Sequence, residues 1–195
     1  MPMHDEKLFA LVLAAGGGSR FGGKKQLQAY QGTPLVARAV RLAESVCGPR
    51  TLLVTGSDWR AVFEACMPLE GFLLRNEEWR SGIGSSIAAG TRAVAASADA
   101  LLLLLADQPL ITREHLEALI AAWNGSPRHI VATTFADVAG PPVLFPARYF
   151  PALAALEGDR GARQVLAAAA AQVLTLTFEP AAVDIDRAED LARLP

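Results

Sequence analysis

The densest chemistry in the chain lies in Leu13-Ala-Ala-Gly-Gly-Gly-Ser-Arg-Phe-Gly-Gly-Lys-Lys25. Glycines that follow an apolar run let backbone N–H groups turn towards an anion, and Arg20, Lys24 and Lys25 add positive charge. A structural glycine turn alone would not explain three cations in one loop, so phosphate binding is the chemistry that fits. Asp107 stands just past the leucine run 101–105. There it suits a hard divalent cation shared with substrate phosphates, or a helix cap beside Pro109. Asp184 and Asp186 fall on one face of an extended segment, either as ligands or as a solvated pair. Ser85 and Ser86 open an expected helix, where N-capping is the ordinary use. Arg160 and Arg163 offer planar donor forks for a phosphate, or simply a charged helix face.

Two familiar phosphate loops fit this segment in part. Gly18, Gly23 and Lys24 satisfy GxxxxGK, but Lys25 stands where a phosphate-loop ATPase or kinase needs a hydroxyl for Mg²⁺. Gly16 and Gly18 begin a dinucleotide-binding pattern, but Phe21 replaces its third glycine. Neither pattern accounts for Arg20.

The positioning elements follow from apolar periodicity. Leu8–Ala15, Thr51–Thr55, Phe72–Leu74 and Leu101–Ala106 read as buried strands. Helices alternate with them: one starting at Thr33-Pro34 with Thr33 as cap and ending at Gly48-Pro49, one from Asp58 to Cys66, one from about Gly84 to Ala96, and one capped by Thr112 and ending near Asn124-Gly125. Such alternation implies a parallel sheet covered on both faces. Later segments His129–Thr134, Val143–Phe145, Val173–Phe178 and Val183–Ile185 also read as strands. Gly140-Pro141-Pro142 reads as a stiff turn, and the alanine run Ala167–Ala171 as a helix. The expectation is an α/β, doubly wound, mostly parallel open sheet with a late antiparallel strand, forming one domain over residues 1–195.

Composition narrows the function classes. With 195 residues, 18 Lys+Arg and 20 Asp+Glu, the net charge is −2, against a globally basic nucleic-acid binder. No apolar run approaches the ~20 residues of a membrane span. The start Met1–Lys7 lacks a signal peptide's basic head and apolar centre, and Cys47 and Cys66 show no metal-like spacing, which together point to a cytoplasmic protein. Three scattered histidines offer no His-based metal cluster.

Several segments then form a series. Leu13-Ala14-Ala15-Gly16, Ser19-Arg20-Phe21-Gly22 and Lys25-Gln26-Leu27 resemble the LAAGxSxRxGxxKxL signature of nucleotidyltransferases. Gly82-Ile83-Gly84-Ser85-Ser86-Ile87-Ala88-Ala89-Gly90, Ala106-Asp107-Gln108-Pro109, Gly140-Pro141-Pro142-Val143, Gly158-Asp159-Arg160-Gly161-Ala162-Arg163 and Asp184-Ile185-Asp186 follow in order. The set is similar to the MobA-like NTP transferases, in particular their molybdenum cofactor cytidylyltransferase branch. Arg187 replaces that branch's usual Thr, Lys24 adds a charge, and Gly17-Gly18 enriches the loop in glycine.

This resemblance implies a Rossmann-like nucleotidyltransferase fold and transfer of CMP from CTP to molybdenum-molybdopterin with release of pyrophosphate. It implies a nucleotide cradle of Leu13, Ala14, Ala15, Gly16, Gly17, Gly18 and Ser19, with Ser85 and Ser86 at the base. Arg20 and Lys25 would be catalytic, Asp107 and Asp186 would hold Mg²⁺, and Pro141, Pro142, Arg160 and Arg163 would meet the molybdopterin-type cofactor. Ala15, where guanylyl-transferring relatives carry glycine, would narrow the pocket against purines. Guanylyl transfer, transfer to a sugar or polyol phosphate, and a non-catalytic nucleotide or cofactor carrier are the alternatives. A client molybdoenzyme or its chaperone would be the protein partner, with no nucleic acid and no membrane involved.

Overall fold

The computed structural model describes residues 7–16, 25–192 and 194. The expectations placed on Gly17, Gly18, Ser19, Arg20 and Lys24 lie outside the described residues. The strands are β1 (Leu8–Ala14), β2 (Ala29–Tyr30), β3 (Thr33–Pro34), β4 (Thr51–Thr55), β5 (Phe72–Arg75), β6 (Ala100–Leu105), β7 (Ile130–Phe135), β8 (Val138–Pro146) and β9 (Val173–Thr177). The helices are α1 (Leu35–Cys47), α2 (Trp59–Ala65), α3 (Ile83–Val94), α4 (Arg113–Trp123), α5 (Phe150–Ala154), α6 (Ala162–Ala168) and α7 (Ala188–Ala192). A seven-stranded sheet runs β5-β4-β1-β6-β8-β7-β9, and β2 and β3 form a separate small hairpin.

Strands β5, β4, β1 and β6 are parallel, β8 is antiparallel to both β6 and β7, and β9 is parallel to β7. One strand therefore opposes the rest, as the sequence predicts. The apolar runs carry two cores by alternation. Ala10, Val12 and Ala14 of β1, with Leu102 and Leu104 of β6, face α1 and α4; Leu11 and Leu13, with Leu101 and Leu103, face α3, α5 and α6. Fully burying one such leucine or valine contributes about 1.5–3 kcal/mol. Gly90 lets α3 lie flat on the sheet, since a methyl there would meet Leu11 Cδ1 at 2.4 Å.

Four local expectations are corrected. Thr33 does not cap α1: it pairs with Tyr30 in the small hairpin, and Pro34 occupies the cap position with no side-chain bond. Asp58 precedes α2 in a left-handed conformation, also without a capping bond. The alanine run divides between the end of α6 and a 3-10 turn at Ala170–Gln172. Pro141 and Pro142 lie inside β8, not in a turn. Between Ala132↔Val143 and Thr133↔Gly140 the two prolines are extra residues, a bulge that tolerates their missing N–H donors. The true turn is Ala136-Asp137, both at positive φ. Thr112 does cap α4, accepting from His115 N–H at 3.3 Å.

Candidate functional site

The chain leaves β1 for β4 on one side and later adds β6 on the other. The crevice beyond the carboxyl ends of β1 and β6 is thus the topological switch point where such sheets bind ligands. A cleft of about 560 Å³ opens there, lined by Leu13, Ala14, Ala15, Gly16, Lys25, Ser86, Asp107 and Asp186 among others. Eight of the sequence-derived candidates meet in one cavity.

At its centre Lys25 Nζ donates to Asp107 Oδ2 at 2.7 Å and to Asp186 Oδ1 at 2.9 Å. Burial alone would lower the Lys25 pKa, but the charge and hydrogen bonds of Asp107, joined by those of Asp186, raise it above its ordinary value. Lys25 is therefore a fixed cation. Asp107 emerges one residue past Ala106, whose N–H binds the Leu13 carbonyl, so the ends of β1 and β6 set its place. The segment Val183–Ile185 is not a strand. Ile185 N–H donates to the Asp107 carbonyl at 3.0 Å, Val183 N–H donates to the Pro180 carbonyl, and the Ile185 side chain is buried with Tyr30 and Leu35. That anchor leaves Asp184 and Asp186 on either side of a buried residue. The Asp184 residue is solvent-accessible, yet its carboxyl is crowded: burial first, then repulsion from Asp107, pushes its pKa up to about 6 against the pull of Lys25.

The carboxylates fit a divalent cation on two observations. Asp107 Oδ1 is buried with no hydrogen-bond partner, and Asp107 and Asp186 already converge on one positive centre. An orphaned carboxylate oxygen is costly without a cation or donor.

The two serines diverge. Ser86 is buried in the cleft wall, whereas Ser85 turns its hydroxyl to the Gly82 carbonyl at 2.9 Å and is not among the lining residues. Asn76, beyond the end of β5, binds both serine oxygens. Gln26 is a second residue that sequence reasoning left without a role: its amide holds the carbonyls of Ala14 and Gly16 and so fixes the start of the glycine loop. Trp79 and Arg80 also line the cleft, with the guanidinium 4.6 Å over the indole. Gly56 makes room for that indole, since a methyl there would meet both Trp79 and the Ala15 carbonyl at 2.5 Å. An aromatic in a polar loop was the one visible signal.

The acceptor-side candidates are placed differently. Pro141 and Pro142 present carbonyls to Gln108 and Thr133 rather than rings to the cleft. Arg160 folds onto Glu157, at 3.5 Å from its carboxylate, and Asp159 lines the cleft instead. Arg163 points from α6 towards β8: its Nη2 would lie 3.7 Å from a methyl on Gly140, and it acts electrostatically on Asp184. Gly82 and Gly84 pack on this same loop, with Gly84 N–H on the Gly158 carbonyl at 2.9 Å and no room for a side chain beside the Arg160 carbonyl. The two glycine-containing motifs are each other's packing partners.

Comparison with known proteins identifies the family. The MobA-like NTP transferase domain model matches residues 10–173, which takes in Lys25 and Asp107 but stops short of Asp186. The purine catabolism protein PucB of Bacillus subtilis is 28% identical over 172 residues, covering 84% of this chain and 82% of its own. Nicotine blue oxidoreductase of Paenarthrobacter nicotinovorans is 30% identical over 196 residues, covering 94% of each. The crystal structure of Rv0371c from Mycobacterium tuberculosis superposes with a TM-score of 0.83 at 25% identity, over 97% of this chain and 98% of that one. With the family model spanning residues 10–173 and a 30% identical relative covered over 94% of its length, the chain belongs to the MobA-like NTP transferase family.

Proposed function

We propose that this protein transfers CMP from CTP to the phosphate of a molybdenum-molybdopterin cofactor, releasing pyrophosphate. The observation that carries the reading is the Lys25 ammonium between Asp107 and Asp186 at the mouth of the β1–β6 crevice. Nucleotidyl transfer demands positioning and charge stabilisation, with little covalent work for the protein. Backbone from Ala15 onward begins the triphosphate cradle, and Arg20 serves the β- and γ-phosphates. Lys25, held ionised, stands ready for the charge that develops on the α-phosphate.

Asp107 and Asp186 would hold Mg²⁺, which supplies neutralisation of phosphate charge when bound. Support comes from the orphaned Asp107 oxygen and from Rv0371c, whose structure has also been determined with manganese. Leu13, Ala14, Ala15 and Ser86 flank the base, and Ala15, only 5% exposed, brings its methyl to the pocket wall. Arg163 is the better placed arginine for the acceptor phosphate, beside Gly140 and the acidic centre. Pro141 and Pro142 contribute through their carbonyls, which hold the Gln108 and Thr133 side chains.

The test is pyrophosphate release with each of the four NTPs, with and without molybdenum cofactor. A signal with CTP that requires the cofactor is the expected result. A signal with GTP instead corrects the base. Release that needs a sugar or polyol phosphate corrects the acceptor. No release with any pair overturns nucleotidyl transfer and turns attention to the redox chemistry in the name of the Paenarthrobacter relative.

A further inference from the structure

Asn76 is a buried polar residue that the nucleotidyl-transfer reading does not use. Its amide is oriented without ambiguity. Oδ1 accepts the Glu78 backbone N–H at 3.0 Å, and since a backbone nitrogen can only donate, the other end must be the NH₂. That NH₂ gives one hydrogen to Ser85 Oγ at 2.9 Å and one to Ser86 Oγ at 3.0 Å. Both serine oxygens are thereby acceptors, and each hydroxyl must place its own hydrogen elsewhere.

For Ser85 the destination is within the protein: carbonyls of Gly82 and Glu78 lie at 2.9 and 3.0 Å. Ser86 differs. It is 3% exposed, lines the cleft beside Ala14 and Ala15, and among the described residues the one hydrogen bond of its hydroxyl is the one it accepts from Asn76. Its hydrogen is left for whatever fills the cleft.

We infer that Asn76 is a positioning residue that fixes Ser86 as a hydrogen-bond donor to the nucleobase, so that the pocket takes a base presenting an acceptor there. This rests on the nucleotide site proposed above and adds a determinant to it. The cytosine edge offers adjacent acceptors at N3 and O2, and a base showing only a donor at that position would leave two hydrogens opposed. Selection comes from polarity, separately from the volume set by Ala15.

The experiment is equilibrium binding of CTP and of ribose 5-triphosphate, each with Mg²⁺, at pH 8. The ratio of the two affinities isolates the base and cancels any effect on the phosphates. Asn76→Asp keeps the shape but turns the NH₂ into an acceptor, which draws the Ser86 hydrogen away from the cleft. The CTP to ribose-triphosphate ratio should fall at least tenfold in Asn76→Asp and about threefold in Asn76→Ala, and neither should change it by more than twofold in a Ser86→Ala background. If both ligands weaken together, or the fall persists without Ser86, Asn76 is a structural residue and the inference is overturned. A wild-type ratio near one overturns the base pocket itself. Should wild type bind GTP more tightly than CTP, the cytidylyl reading fails, and the same cycle with GTP still decides the role of Asn76.

Discussion

On the β1–β6 side of the crevice, Lys25, Asp107 and Asp186 bind one another through their side chains; on the β8–α6 side, the candidates Pro141, Pro142 and Arg160 are engaged with their own neighbours. The first region is a charged centre assembled before any ligand arrives. In the second, none of Pro141, Pro142, Arg160 and Arg163 is among the cleft's lining residues, and Arg163 alone of them acts electrostatically on Asp184. A motif in the first region therefore reports side-chain chemistry, whereas a motif such as Gly158-Asp-Arg-Gly161 reports how closely a loop must approach the glycines of α3. Equal likeness to a signature does not mean equal involvement in the reaction.

Asp107→Asn is the harshest test of that contrast. A neutral amide is a poor ligand for a hard cation and also breaks the ion pair with Lys25, so kcat/KM should fall on the order of 100-fold, ~3 kcal/mol of transition-state stabilisation. Circular dichroism should show the fold retained; near-normal turnover at saturating nucleotide would remove Asp107 from the centre. Lys25→Ala should reduce kcat by ~10-fold or more with a smaller rise in KM, because its charge matters most when the α-phosphate is attacked. The same variant should bind Mn²⁺ more tightly without nucleotide, since the carboxylates lose the ammonium they share. Unchanged Mn²⁺ affinity would show that Lys25 and the metal do not compete.

The acceptor side is sharpened by a pair. Arg163→Ala should raise the KM for the proposed molybdopterin acceptor several-fold, on the order of 1 kcal/mol, while Arg160→Ala stays within about twofold because its guanidinium is spent on Glu157. Steady-state kinetics with varied acceptor decides it, and a reversed order would undo the contrast between the two arginines.

The smallest effect concerns Asp184. Its folded pKa of about 6 lies above its ordinary value of 3.8, so the unfolded chain ionises first. Stability is therefore lost as pH rises from about 4 to about 6, and the cost is full above that. Asp184→Asn should raise the melting temperature by roughly 1–2 °C at pH 8, a modest gain because the residue meets solvent. At pH 3.5 it should change nothing. A gain that persists at low pH would mean that the carboxyl charge is not the cause.

Much of the parallel half was legible because a strand buried on both faces must be apolar throughout, as in β1 and β6, and because a carboxylate directly after such a strand has little choice of location. The late antiparallel strand was legible too, but its hairpin was not. Ala136-Asp137 lacks the glycine or asparagine that marks a turn with two positive φ values, so nothing local announced it. Thr33-Pro34 carries every mark of a helix start, yet pairing with Ala29-Tyr30 claims it first. Gln26 and Asn76 act through partners brought near by the fold, and no spacing within one segment reveals such a role. Strand alternation would put Asp184 and Asp186 on one face, but the segment is not a strand; a buried isoleucine separates them, and of the two only Asp186 is among the cleft's lining residues.

The Ile185 anchor has a consequence for how the centre comes into being. Lys25 and Asp186 are 161 positions apart in sequence. Closing so large a loop offers little return until Tyr30, Leu35 and the Asp107 carbonyl are in place, because the isoleucine has nowhere to dock before then. During refolding the core between β1 and β6 can therefore complete while the acidic centre still lacks one of its carboxylates. Recovery of intrinsic fluorescence and recovery of metal binding would then follow separate clocks, the second never ahead of the first.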